Sequence, residues 1–296
     1  MSATRRLPLP KPYDVPWTRW YLKAHTVPGL EAYDEGRYAR SLTLTSGPAL
    51  LSLQLDAGAV EVAVESAVSG GTAPDVAEAV SVARRLLDLD ADGAAVDARL
   101  AQDPALTPSV AAAPGLRVPG AADGWELLVR TMVGQQISLA AARTHLGRLV
   151  AALGEPLPGG WRIFPTAGAV ATGGLGVLGG PRRRVAAVVA AAETMAAGRL
   201  DLSPERDPAA LRADLMALPG VGPWTADYVV MRLTPHRDVL LDSDLVVRQG
   251  ARLLGLTAQD IADPGRWSPV RSYATMHLWR VALAARTARE GARSSR

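Results

Sequence analysis

Hydrophobic and polar residues alternate with a period of two over residues 39–67, in stretches such as Ser41-Leu-Thr-Leu-Thr and Ala49-Leu-Leu-Ser-Leu-Gln-Leu. Successive side chains of a strand point to opposite faces, so this alternation predicts strands of a half-exposed antiparallel sheet. The period then changes. Ala73-Pro-Asp-Val-Ala-Glu-Ala-Val-Ser-Val-Ala-Arg-Arg-Leu-Leu-Asp-Leu has the pattern of an amphipathic helix, with Pro74 and Asp75 in its first turn. Pro114-Gly-Leu-Arg-Val-Pro-Gly is a stiff linker. Beyond it the pattern is helical almost to the end, over segments near 123–133, 137–152, 182–198, 207–217, 223–233, 244–254 and 270–289. Thr172-Gly-Gly-Leu-Gly-Val-Leu-Gly-Gly reads as a loop without the order of a phosphate-binding loop. The expected fold class is α+β. An N-terminal mixed α/β domain with an antiparallel sheet (1–115) precedes an all-helical domain (116–290) and a basic tail (291–296).

Composition removes several function classes. Hydrophobic residues make up 48% and charged residues 21%, as in a folded soluble domain. No apolar run reaches the roughly 18 residues that a membrane helix needs. Met1-Ser-Ala-Thr-Arg-Arg-Leu-Pro has no apolar stretch behind its basic pair, so no signal peptide is expected and the expected location is cytoplasmic. Cysteine is absent, which excludes disulfides, thiolate zinc sites, thiol nucleophiles and iron–sulfur clusters. The four histidines, His25, His145, His236 and His277, show no metal-ligand spacing, so no metal site is expected.

Charge is unevenly spread. Residues 1–110 carry a net −4 and residues 111–296 a net +7. A basic C-terminal part suits a polyanion. Lys11 and Lys23 are the only lysines, so the helical part has none.

The most informative segment is Leu218-Pro-Gly-Val-Gly-Pro-Trp-Thr-Ala. One helix stops at the Pro-Gly pair and another opens with Pro223 at its first position, where a missing N–H costs nothing. Such a turn can aim main-chain amides and a helix dipole at one phosphate. Taken alone it is equally an ordinary connection between helices. Asp244 follows Trp224 by twenty residues, in Val239-Leu-Leu-Asp-Ser-Asp-Leu-Val-Val-Arg. An Asp before an apolar run is most simply a helix N-cap, and a cap can also serve chemistry.

These motifs resemble those of the helix-hairpin-helix DNA glycosylase superfamily, and within it the DNA-3-methyladenine glycosylase II or AlkA type. The resemblance runs through Pro12-Tyr-Asp, Tyr38-Ala-Arg-Ser-Leu, the Pro114 linker, Val133-Gly-Gln-Gln-Ile-Ser, Trp224-Thr-Ala-Asp-Tyr and Arg271-Ser-Tyr-Ala-Thr-Met-His-Leu-Trp. It implies that the helical domain is a helix-hairpin-helix glycosylase domain. It implies Asp244 as the catalytic carboxylate, ahead of Asp238 and Asp242. It implies a base pocket of Trp224, Tyr228, Trp279 and Tyr21, with Trp267 and Tyr273 left to the core. It also implies a phosphate-binding hairpin of Gly220, Val221, Gly222 and Thr225. Gln136 stands where the AlkA type inserts an apolar wedge into the duplex. Pro181-Arg-Arg-Arg is a further candidate for phosphate contact.

Trp224 occupies the position of the lysine that forms a Schiff base in bifunctional members, so water is the expected nucleophile. The implied activity is removal of flipped-out alkylated bases, such as 3-methyladenine and 7-methylguanine, from double-stranded DNA by a monomer. No organic cofactor is implied, and a monovalent cation on the hairpin carbonyls is compatible with the family. The alternatives are a non-catalytic helix-hairpin-helix DNA-binding protein and a glycosylase for oxidised or mismatched bases.

Overall fold

The computed structural model describes residues 2–67 and 75–294. Five strands, β1 (Ser2–Pro8), β2 (Glu31–Asp34), β3 (Arg37–Leu44), β4 (Gly47–Leu55) and β5 (Ala59–Ser66), form one antiparallel sheet in the order β1-β5-β4-β3-β2. Alternation in β4 puts Leu51, Leu53 and Leu55 on one face, where they pair with Val64, Val62 and Val60 of β5. Helix α1 (Val15–His25) lies between β1 and β2, and α2 (Val76–Leu87), which follows β5, covers that face with Ala79, Val82, Ala83, Leu86 and Leu87. Asp75 caps α2 by accepting from the Glu78 amide at 2.9 Å, while Ala73 and Pro74 lie outside the described residues. Strand β1 is largely exposed and β2 has only four residues, so neither carries the alternation that marks β3–β5. Pairing with a neighbour makes them strands.

The remaining helices are α3 (Gly93–Leu100), α4 (Thr107–Ala112), α5 (Gly124–Gly134), α6 (Leu139–Leu153), α7 (Ala167–Val177), α8 (Arg182–Ala196), α9 (Pro208–Met216), α10 (Pro223–Leu233), α11 (Leu245–Leu253), α12 (Ala258–Ala262) and α13 (Arg271–Ser294). The chain is therefore α+β. Its helices share two cores. One joins α5, α6, α8, α9 and α10. The other joins α11 and α13 to Val96, Leu100, Leu106 and Val110, and it holds Trp267 and Tyr273, each 1% exposed. Residues of α3 and α4 thus pack with the C-terminal helices. Helix α13 continues into the segment expected as a basic tail, and residues 295–296 lie outside the described residues.

One expectation is corrected. The glycine-rich stretch from Thr172 is not a loop up to Val177 but the second half of α7. Thr166 caps this helix by accepting from the Ala169 amide at 3.2 Å. A Cβ on Gly173 would lie 2.7 Å from Leu153 Cδ2, and one on Gly174 would lie 3.1 Å from Val189 Cγ2. The glycines let α6 and α8 approach, and that packing overrides their poor helix propensity.

A buried ion network ties the sheet to α5. Arg40 bonds Glu126 at 2.6 Å, Arg130 bonds Glu126 at 3.0 Å and also pairs with Glu31, and the Tyr38 hydroxyl donates to Glu31 at 2.5 Å. Burial alone would raise the Glu31 carboxyl, but the Arg130 and Arg40 guanidiniums hold it below the usual carboxylate range.

One buried and one half-buried histidine give the fold an acid limit. His277 is fully buried against the Ser109 hydroxyl at 3.0 Å, and burial pulls its imidazole down to about 4. Burial likewise takes His25 down to about 3. Unfolded imidazoles take up protons below about pH 6.5, whereas these two stay neutral in the fold until far lower. Stability should therefore fall as pH drops from about 6.5 towards 4, by roughly 3 kcal/mol from His277 alone. Glu31 adds a loss in the same direction at lower pH, as its carboxylate is forced to protonate. Thermal midpoints measured between pH 7 and 4 check this; a flat curve would mean that the histidines charge without unfolding.

Candidate active site

The hairpin joins α9 to α10. Gly220 has φ +76°, a conformation that disfavours a side chain, and a Cβ there would lie 2.6 Å from Ala187 Cβ of α8. The Val221 amide donates to Leu218 O at 3.2 Å and closes the turn. Gly222 is the N-cap of α10 and makes no side-chain capping bond, with Pro223 following in the first turn. The first-turn amides thus have no side-chain acceptor, in the geometry that suits an anion.

The side chains of Val221 and Thr225 turn inward at this hairpin. Val221 is 6% exposed and packs into the first helical core, and Thr225 is 3% exposed. The Thr225 hydroxyl accepts from Gln135 Nε2 at 2.9 Å, and the same nitrogen donates to Gly220 O at 3.2 Å. Only their main chain is left for a phosphate. Gln135 was not among the expected site residues, yet it ties the hairpin to the turn between α5 and α6. Gln136, at the tip of that turn, is exposed with φ +59°. Arg184 donates to Gln135 O at 2.7 Å and so braces this turn, while Arg182 and Arg183 of the same run are exposed.

Asp244 is the N-cap of α11. Its Oδ1 accepts from the amides of Val246 at 2.8 Å and Val247 at 2.9 Å. The same oxygen accepts from Trp279 Nε1 at 3.1 Å, and Oδ2 accepts from Trp224 Nε1 at 3.0 Å. Capping fixes the carboxylate to the helix end, and the two indoles fix its plane. The competing aspartates are placed differently. Asp238 bonds Arg271 Nε at 2.7 Å and accepts from the Ser268 hydroxyl at 2.9 Å, which together hold its carboxyl below the usual range against the opposing effect of burial. Asp242 is exposed and does not line the cavity.

The structure brings the four expected aromatics together around a cavity of about 410 Å³ that Asp244 also lines. Trp224 and Tyr228 stack with centroids 5.4 Å apart at 18°, and Trp279 lies 6.2 Å from Tyr228 at 43°. Tyr21 reaches in from α1, with its hydroxyl 3.5 Å from that of Tyr228. His25 and Arg232 also line this cavity. His25 stacks on Tyr21 at 3.9 Å and donates from Nδ1 to the Tyr21 carbonyl at 2.8 Å. Arg232 is 7% exposed and donates from NH1 to both tyrosine hydroxyls, at 2.7 Å for Tyr228. Trp224, Tyr228 and Arg232 recur every four residues on α10, which puts them on one face of the helix. That spacing was visible in the sequence; burial of the cation was not. No cluster of three His, Asp or Glu side chains able to hold a metal occurs among the described residues. No helix among them is long and apolar enough to cross a membrane.

Comparison with known proteins matches residues 4–123 to the AlkA N-terminal domain. The probable bifunctional transcriptional activator/DNA repair enzyme AlkA of Mycobacterium tuberculosis is 39% identical over 94% of this chain, and the chain spans only 57% of that relative's length. The 3-methyladenine DNA-glycosylase of Archaeoglobus fulgidus shares the fold, with a TM-score of 0.78 at 18% identity over 94% of this chain and 98% of its own. DNA-3-methyladenine glycosylase 2 of Escherichia coli is 32% identical over 90% of this chain and 94% of its own length. With that identity over nearly the whole relative, this chain belongs to the AlkA-type DNA-3-methyladenine glycosylase family.

Proposed function

We propose that this protein is a monofunctional DNA glycosylase that removes alkylated bases from double-stranded DNA as a monomer. The observation that carries the reading is the carboxylate of Asp244, held by two helix amides and two cavity tryptophans at the edge of an aromatic pocket. A nucleotide turned out of the duplex places its base between the rings and its sugar near Asp244. As the glycosidic bond breaks, the sugar gains oxocarbenium character and Asp244 stabilises that charge; water supplies the new oxygen. A cationic alkylated base leaves as a neutral molecule and needs little acid. The aromatic faces also attract such a base, by about 0.5–2 kcal/mol per good contact.

The Gly220–Gly222 hairpin binds a phosphate through main-chain amides, and Gln136 fills the gap left in the duplex. The hairpin carbonyls of Leu218 and Gly220 each accept one bond, from the Val221 amide and Gln135 Nε2. Each retains a lone pair, so this oxygen-only set fits a monovalent cation, which would add positive charge beside the phosphate.

The test is release of base from duplexes holding single 3-methyladenine or 7-methylguanine lesions. The expected product is an intact abasic strand. Borohydride should trap no enzyme–DNA adduct, because Trp224 stands in the Schiff-base position and the helical part has no lysine. A trapped adduct would mean that some other amine attacks the sugar.

A further inference from the structure

Arg232 is an unusual cation for an aromatic pocket. It is 7% exposed and bonds no carboxylate among the described residues. Its donors go to the carbonyls of Pro119 and Gly120 and to the hydroxyls of Tyr21 and Tyr228. Its guanidinium carbon also lies 4.9 Å from the Tyr21 ring centroid and 5.5 Å from that of Tyr228. A buried charge without a counter-ion is costly, so the site maintains a positive potential at this end of the cavity.

The protons of the two phenols can be placed by elimination. A guanidinium only donates, so both phenol oxygens act as acceptors towards Arg232 and neither can give it a proton. The two oxygens are 3.5 Å apart, and at most one can donate to the other. One O–H therefore remains to be satisfied, on a residue that lines the cavity. Burial raises the Tyr21 phenol above its usual range, so it keeps its proton.

We infer that the Tyr21–Tyr228 hydroxyl pair, oriented by Arg232, donates a hydrogen bond to the departing base, which equips the pocket for neutral purine lesions as well as cationic ones. This role rests on the glycosylase reading. Asp244 and Arg232 stand at opposite ends of one row, because Asp244 is bonded to Trp224, Trp224 stacks on Tyr228, and Tyr228 is bonded to Arg232. That polarity matches the reaction of a neutral base. The C1′–N9 bond breaks with both electrons passing to the purine, and the oxygen of water bonds to C1′. The proton lost by water reaches the purine nitrogen through solvent, while the phenol shares its proton and keeps it. Positive charge thus develops beside Asp244 and negative charge beside the phenols and Arg232. A cationic base, which develops no negative charge, gains far less from the donor.

The experiment compares hypoxanthine, a neutral purine, with cationic 7-methylguanine in single-turnover release, each rate divided by its own wild-type rate. The Tyr21→Phe/Tyr228→Phe variant keeps both rings and removes both hydroxyls. The ratio of hypoxanthine to 7-methylguanine release should fall at least about 10-fold, the scale of one lost hydrogen bond to a developing charge. A purely structural role would lower both rates together, so an unchanged ratio overturns the inference. Wild-type enzyme that releases 7-methylguanine but not hypoxanthine overturns it too, with the glycosylase reading intact. Release of neither base would overturn the glycosylase reading instead. Arg232→Lys keeps the charge but cannot span the four acceptors, and it should lower the same ratio; if it fails to fold, the tyrosine variant decides alone.

Discussion

Asp244→Asn is expected to lose at least about 100-fold in single-turnover base release while still binding duplex DNA. The substitution isolates charge from structure. Asn caps helices about as well as Asp, so its Oδ1 can keep the bonds from Val246, Val247 and Trp279. What changes is the other atom. An Asn Nδ2 facing Trp224 Nε1 sets donor against donor at a position where the carboxylate now accepts at 3.0 Å. The variant therefore loses the negative charge proposed to face the sugar and one of the two bonds that fix its plane. Base release and duplex affinity should be measured on the same preparation, with a thermal melt as the check on folding. Full activity would move the catalytic role elsewhere. Asp238→Asn is the useful contrast, because Asp238 is paired with Arg271; its removal should lower stability more than it lowers the rate of base release.

Gly250→Ala should be the most damaging single-methyl change near the site. A Cβ at Gly250 would lie 2.0 Å from Leu278 O and 2.7 Å from Leu278 C, so α11 and α13 touch backbone to backbone there. Backbone cannot yield as a side-chain tip can. Such overpacking costs about 1–3 kcal/mol, and the relief available is to push the helices apart. Asp244 opens one of these helices and Trp279, the neighbour of Leu278, lies on the other. Their 3.1 Å bond should lengthen, and base release should fall by up to about 100-fold, the scale of a 1 Å misplacement. Gly176→Ala is the matched control. It sits in α7 with nothing within 4 Å of the added carbon, and it should stabilise by about 0.5–1 kcal/mol. Chemical denaturation and single-turnover release on both variants check this. Equal stability of the two would show that the α11–α13 contact can open at no cost.

Much of the site was legible because its parts are local. The hairpin needs glycine where φ is positive and proline where an amide is dispensable, and both appear as letters at Gly220 and Pro223. Asp244 is readable as a cap from the apolar run behind it. Trp224 and Tyr228 share a helix face by spacing alone. The alternation of β3, β4 and β5 is equally local, since each strand has one buried face.

What escaped the sequence depends on neighbours distant along the chain. β1 is a strand through its pairing with β5, and α7 is a helix because its glycines admit Leu153 and Val189. Thr225 lies beside the hairpin in sequence but turns inward to Gln135, ninety residues away. Asp238, Asp242 and Asp244 are chemically alike as letters, and their surroundings alone separate an ion-paired, an exposed and a capping carboxylate. Arg232 is likewise one arginine among many until the packing of α1 and the Pro119–Gly120 segment encloses it. By itself the sequence determined the elements whose backbone conformation is set by their own residues, together with the absence of cysteine and of lysine in the helical part, which confines the chemistry. Tertiary structure alone decided which polar groups are buried and which groups they meet, because desolvation and hydrogen-bond partners belong to the packed molecule and not to any local run of residues.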